Sequence, residues 1–164
     1  MFYANSGFIE GVVDVSIIIP VCFKNPLKKF AVDFLSNILK LKRVCIIPVS
    51  AIIGAYHIVT KYLGVPRLHA KKTLVGLLET RSPVLYPPIE IGVAINALDY
   101  ASAYNIESWD GYLVALAKSL KTNVIYSLDK KLASVVEDLI VINPFPEKAT
   151  KEYHSYLKSI VKRP

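Results

Sequence analysis

Gly11-Val12-Val13-Asp14-Val15-Ser16-Ile17-Ile18-Ile19-Pro20 is the stretch on which the fold turns. Residues 11–19 form a Val- and Ile-rich run of the kind that fills a parallel strand buried on both faces. One carboxylate stands inside it. Asp14 among branched aliphatics is costly to bury unless it is paired, hydrogen-bonded or neutralised by a cation. The stretch therefore carries two expectations: a buried parallel strand, and a carboxylate kept there for chemistry.

Outward from it, strand and helix alternate. Pro20 and Pro26 bracket a loop, and Leu27, Phe30, Ala31, Phe34, Leu35, Ile38 and Leu39 recur at helical spacing, which predicts a helix over 27–41. Val44 to Ile47 reads as the second strand. Ser50 is placed to cap a helix running to about Leu63, where Gly64 and Pro66 stop it. A helix from Leu68 to Thr80 follows, then a short strand from Val84 to Tyr86 ended by Pro87 and Pro88. Ile89 to Tyr104 reads as a helix, and Ser108 is placed to cap another over Trp109 to Leu120. Val124 to Ser127 is a strand, Lys130 to Glu137 a short helix and Leu139 to Ile142 the last strand.

This order predicts an α/β domain: a three-layer α/β/α sandwich around a central, mostly parallel sheet. It spans residues 1–146. The tail, residues 147–164, holds a basic, moderately amphipathic helix from Lys148 to Arg163. Packing on the body, mediating association and fraying are all open to it.

Composition narrows the class. With 164 residues, 53% hydrophobic and 20% charged, the chain suits one globular domain. Mean hydropathy is +0.40, which raises the question of a membrane. The longest apolar stretch, Val44 to Val59, is interrupted by Pro48, Ser50, Gly54 and His57 and is shorter than the ~20 apolar residues of a spanning helix. The opening MFYANSGFIEG has neither a basic start nor a long apolar core, so a signal peptide is not expected. Cys22 and Cys45 lie in or beside apolar runs and read as buried thiols of a reducing, cytoplasmic compartment, although spacing alone does not exclude a disulfide. The net charge of +7 favours a polyanionic partner such as nucleic acid.

Ligands of open parallel sheets bind beyond the carboxyl ends of the strands. Asp14 lies in the first strand, Asp110 at the start of a helix in Glu107-Ser108-Trp109-Asp110-Gly111-Tyr112, and Asp129 directly after a strand in Ser127-Leu128-Asp129-Lys130. Each has a plain alternative. Asp110 suits the positive end of its helix dipole, and Asp129 suits a helix cap. Together, three acids at strand ends repel one another unless a cation neutralises them. All candidate ligands are oxygens, so the cation is a hard one, Mg²⁺ or Mn²⁺. Ser16 and Ser127 are short hydroxyls beside two of the acids. They are placed to hold the carboxylates, a phosphate or only the backbone.

These segments resemble the PIN-domain family, which includes the VapC-type toxins of prokaryotic toxin–antitoxin pairs. The resemblance rests on Val12-Val13-Asp14-Val15-Ser16, on Trp109-Asp110-Gly111-Tyr112-Leu113, and on Ser127-Leu128-Asp129-Lys130-Lys131, in order across roughly residues 10–143. It implies Mg²⁺- or Mn²⁺-dependent ribonuclease chemistry at Asp14, Asp110 and Asp129, and often a dimer and an antitoxin partner. Two departures stand out. The family usually carries a Glu on the helix after the second strand, whereas no acid occurs here between Ser50 and Glu79. Counted from Ser50, Tyr56 takes the Glu position. Where some members have a further acid, this chain has Lys131. Metal affinity is expected to fall, and a degenerate domain that only binds RNA or protein is the alternative.

Tyr56 and His57 are open to two readings, ordinary packing or a polar contribution to the site, and Glu107 is a weaker substitute for the missing acid. Lys24, Lys28 and Lys29, with Arg67, Lys71 and Lys72, are basic clusters suited to phosphate contacts, although solvated faces explain each as well. An unrelated phosphotransfer domain of the haloacid-dehalogenase type would want Asp where Ser16 stands, and a receiver-like domain would want adjacent acids near the first strand.

Overall fold

A computed structural model describes residues 8–86 and 88–161. The opening residues 1–7, Pro87 and residues 162–164 lie outside the described residues, as do the expectations placed on them. In chain order the elements are β1 (Gly11–Val13), α1 (Val15–Ile18), a 3-10 turn (Ile19–Cys22), α2 (Lys28–Leu39), β2 (Cys45–Pro48), α3 (Val49–Lys61) and α4 (Arg67–Glu79). They continue with β3 (Leu85–Tyr86), α5 (Ile91–Tyr104), α6 (Ser108–Ser119), β4 (Val124–Tyr126), α7 (Lys131–Val135), β5 (Ile140–Ile142) and α8 (Glu147–Ile160).

The sheet has the order β3-β2-β1-β4-β5, and every pairing in it is parallel. β1 is central, and its residues are fully shielded, as the run at 11–13 predicted. Side chains alternate across the sheet with the period of a strand. Val13, Cys45, Ile47 and Tyr126 enter one core with Ile17, Leu35, Ile52 and Ala55. Val12, Ile46 and Ile125 enter the other with Leu113, Leu116 and Leu132. Helices α1–α4 and α8 thus cover one face and α5–α7 the other, the predicted three-layer sandwich. Both cysteines are free and buried. Burial pushes the Cys22 thiol up to about 11 and that of Cys45 up to about 12.

The strand expected over residues 11–19 is shorter than its composition suggests. It ends at Val13, and Val15–Ile18 turn into α1 despite four β-favouring side chains around them. Asp14 is the reason: its carboxylate accepts the free N–H groups of Val15 and Ser16 and caps the helix. The caps expected from Ser50 and Ser108 do not form. α3 and α6 start after Pro48 and Glu107 without a side-chain cap.

α8 packs on the body. Tyr153 is 1% exposed in the first core, and Phe23 lies against the rings of Tyr153 and Tyr156 at 6.4 and 6.3 Å. Below the sheet, Arg43 holds Glu10 at 2.7 Å and the Tyr126 hydroxyl at 2.8 Å, and it lies over the rings of Phe34 and Tyr126.

α5 and α6 form a tight helical hairpin. Asn105 closes α5 in the left-handed conformation (φ 52°), and Gly111 lets the second helix reach the first. A Cβ on Gly111 would fall inside contact distance of the Ala97 carbonyl oxygen and 3.1 Å from the Ala101 backbone nitrogen. Backbone cannot rotate aside. Gly111→Ala is therefore expected to destabilise the fold by about 3 kcal/mol, read as the shift in a urea unfolding midpoint. An unchanged midpoint would show that the hairpin adjusts freely.

Candidate active site

The parallel sheet brings the C-terminal ends of β1 and β4 side by side, and the hairpin sets the start of α6 beside them. Val13 pairs with Tyr126, so the next residues, Asp14 and Ser127, are neighbours by register. The Asp14 carboxylate is 7% exposed and almost fully engaged. Its Oδ1 accepts from the Val15 N–H at 2.7 Å and from the Trp109 indole N–H at 3.4 Å. Its Oδ2 accepts from the hydroxyls of Ser16 at 2.6 Å and Ser127 at 2.8 Å. The two serines also stitch the strand ends together. Ser16 Oγ accepts the Leu128 N–H, and Ser127 Oγ accepts the Asp129 N–H, each at 3.0 Å. The cost of burying this carboxylate is met by hydrogen bonds.

Asp110 is different. It is half-buried in the first turn of α6, and its carboxyl is pushed up from the ordinary range. Burial is the largest cause, followed by the like charges of Asp14, Asp129 and Glu107. The other three acids thus lie within electrostatic reach of Asp110. Asp129 is exposed, and its Oδ1 accepts the Lys131 N–H at 2.9 Å, although the N-cap of α7 is Lys130, one residue later, and not Asp129. A cleft of about 320 Å³ opens here, walled by Glu107, Asp110, Asp129 and Lys131.

The structure thus gathers Asp14, Asp110 and Asp129, with Ser16 and Ser127 as direct partners of the first. Glu107 reaches the same cleft. Tyr56 is half-buried and packs against the first core, and His57 lies exposed with its ring edge-on to Tyr62. Gly54 on α3 lies near α1: a Cβ there would stand 3.7 Å from the Val15 side chain, one residue beyond Asp14. Arg67, Lys71 and Lys72 are exposed on α4, as are Lys24 and Lys29, while Lys28 is half-buried. Trp109 was not singled out in the sequence. Its signal was available: an indole N–H beside Asp110 requires an acceptor once its ring is covered. That ring rests 5.1 Å from Tyr112.

The acids are oxygen donors of the kind a hard divalent cation takes. Among the described residues no three His, Cys, Asp or Glu side chains close on one point. The geometry is that of an open cradle, not a cage. Mg²⁺ suits an open cradle, since it keeps several waters and takes one or two carboxylates, with substrate phosphate completing its shell.

Solved structures share this fold. The chain is similar to a toxin–antitoxin complex from Klebsiella pneumoniae, with a TM-score of 0.57 at 13% identity over 83% of this chain and 98% of that one. It is similar also to PAE2754 from Pyrobaculum aerophilum, with a TM-score of 0.57 at 15% identity over 93% and 96%. No curated protein matches it. The PIN domain model matches residues 11–138, a span that holds β1, the α5–α6 hairpin and all three aspartates, and the chain accordingly belongs to the PIN domain family.

Proposed function

We propose that this chain hydrolyses RNA phosphodiester bonds with the help of Mg²⁺ or Mn²⁺ held by Asp14, Asp110 and Asp129. One arrangement carries the reading: Glu107, Asp110 and Asp129 wall one cleft, where burial and the charges of Asp14, Asp129 and Glu107 raise the Asp110 carboxyl from its ordinary value. A cluster that costs the fold free energy in this way is relieved by a cation. When bound, such a cation supplies activated water and neutralises charge on the phosphate.

The chain's own residues supply the rest. Ser16, Ser127 and Trp109 fix the Asp14 carboxylate in a single orientation. Asp110 and Asp129, both facing the cleft, would complete the oxygen set for the cation. The Lys131 ammonium, at the cleft wall beside Asp110 and Asp129, is suited to meet a phosphate oxygen. The +7 net charge favours a polyanionic substrate.

An antitoxin protein and a second copy of the chain are the partners proposed with this reading. One similar structure is a toxin–antitoxin complex. α5 also exposes Ile91, Ile95 and Leu98 as an apolar stripe at helical spacing. Among the described residues no helix is long and apolar enough to cross a membrane.

The test is incubation of single-stranded RNA with the purified chain and excess Mn²⁺. Cleavage that disappears in Asp14→Asn is expected; RNA left intact by the wild type, or cut equally by both, overturns the reading. A second reading, binding of RNA or protein without turnover, is favoured by α3, which carries no acid at all. Calorimetric titration with Mn²⁺ separates the two: heat that vanishes in Asp129→Asn counts against the degenerate domain. Gly54→Glu adds a carboxylate beside Val15 and is expected to tighten Mn²⁺ about tenfold, the effect of roughly 1.4 kcal/mol of added attraction. Unchanged affinity would mean that the position does not reach the ion.

A further inference from the structure

We infer that α8 and the outer wall of the acidic site form a nucleobase pocket for the nucleotide next to the cleaved phosphate. The inference rests on the hydrolytic reading above and names where its substrate is gripped. A second cavity, of about 400 Å³, adjoins the acidic cleft at Asp129 and Lys131. Both residues line both spaces, and Ser16, the Asp14 partner, lines the second as well. A strand whose phosphate lies at Asp110, Asp129 and Lys131 therefore has this cavity as its next stop.

The chemistry of the cavity fits a base better than a sugar or a phosphate. Its walls are mainly aliphatic, with Ile19, Ile58 and Leu157 among them. Its volume lies within the roughly 300–1,000 Å³ of small-molecule sites. His154 stands at the rim, exposed, with its ring 6.1 Å from that of the buried Tyr153. Single-stranded RNA is commonly read by unstacked bases laid on such rings, while cations hold the backbone. Lys131 supplies the cation at the junction of the two spaces.

This wall lies beyond the span of the family model. The PIN domain model ends at residue 138, whereas Tyr153, His154 and Leu157 sit on α8, residues 147–160. Tyr153 is anchored in the core at 1% exposure, so α8 presents His154 from a fixed base. His154 itself is exposed and can be replaced without disturbing the core.

The test uses the full chain carrying Asp14→Asn, so that RNA is bound and not consumed. Fluorescence anisotropy with eight-nucleotide homopolymers of A, C, G and U gives the affinity for each. Expected are unequal affinities among the four, a loss of about 5- to 10-fold in His154→Ala for the preferred base, and recovery in His154→Phe, which keeps a ring and removes the imidazole. In a 4-thiouridine RNA, photo-cross-links are expected at residues 153–157. Equal affinities that His154→Ala leaves unchanged overturn the pocket. If wild-type chain still cleaves in that case, the hydrolytic reading survives alone. Base-selective binding lost in His154→Ala, with no cleavage by wild type, keeps the pocket and removes the hydrolysis. Failure of every homopolymer to bind overturns the pocket too.

Discussion

Asp14→Ala is expected to lower the thermal midpoint by about 6–12 °C at neutral pH, the equivalent of about 3 kcal/mol in a chain of this size. The substitution removes a carboxylate that closes α1 and accepts from two serine hydroxyls. Loss of a cap costs about 1 kcal/mol. Each buried hydroxyl left without an acceptor adds about 1–3 kcal/mol. Part of this is recovered, because Ser16 and Ser127 can still bond one another across 3.2 Å. Asp14→Asn keeps the shape and one acceptor oxygen, so its loss should be smaller, while cleavage should vanish in both. Scanning calorimetry of the three proteins decides the matter. A midpoint shift under 2 °C for Asp14→Ala would show that the hydrogen bonds around it are dispensable to the fold.

Asp110→Asn should move the midpoint the other way, upward by about 2–4 °C, while reducing cleavage about 100-fold or more. The sign follows from linkage. Burial first, and then Asp14, Asp129 and Glu107, raise the Asp110 carboxyl above its ordinary value of 3.8. A carboxyl whose folded value is raised stabilises the fold fully below its unfolded value and loses that contribution as pH rises through the folded one. At pH 7 the ionised group is a burden, and an amide that cannot ionise relieves it. The advantage of Asp110→Asn should therefore shrink as pH falls toward 3.8. Mn²⁺ should raise the midpoint of the wild type more than that of the variant, because ligand stabilisation scales with affinity. A lower midpoint for Asp110→Asn at pH 7 would show that Asp110 makes a stabilising contact and is not the strained member of the group.

These opposite expectations concern two aspartates in one site, and sequence alone did not separate them. Asp14 was flagged as a carboxylate inside an apolar strand, and Asp110 as an acid at a helix start. Asp14 was the harder to explain as plain structure, yet it is the one whose charge the protein satisfies most completely. The donors come from Ser127 and Trp109 as well as from its own neighbours, and residues 95 and 113 positions away leave no local trace. Asp110 looked well served by its helix start, but it carries the repulsion because the hairpin presses it toward three other acids.

By itself the sequence determined the alternation of strand and helix, a mostly parallel sheet with a buried first strand, and the three segments that carry the acids. Hydrophobic period and the cost of an isolated carboxylate are local signals, written in neighbouring residues. Only the tertiary structure decided that the run at residues 11–19 breaks at Asp14 into strand and helix, that α8 is anchored by Tyr153, and that Asp129 and Lys131 are shared by two cavities. Each of these depends on which distant surfaces meet. Pairing register and helix packing set that, and neither is encoded at any single position.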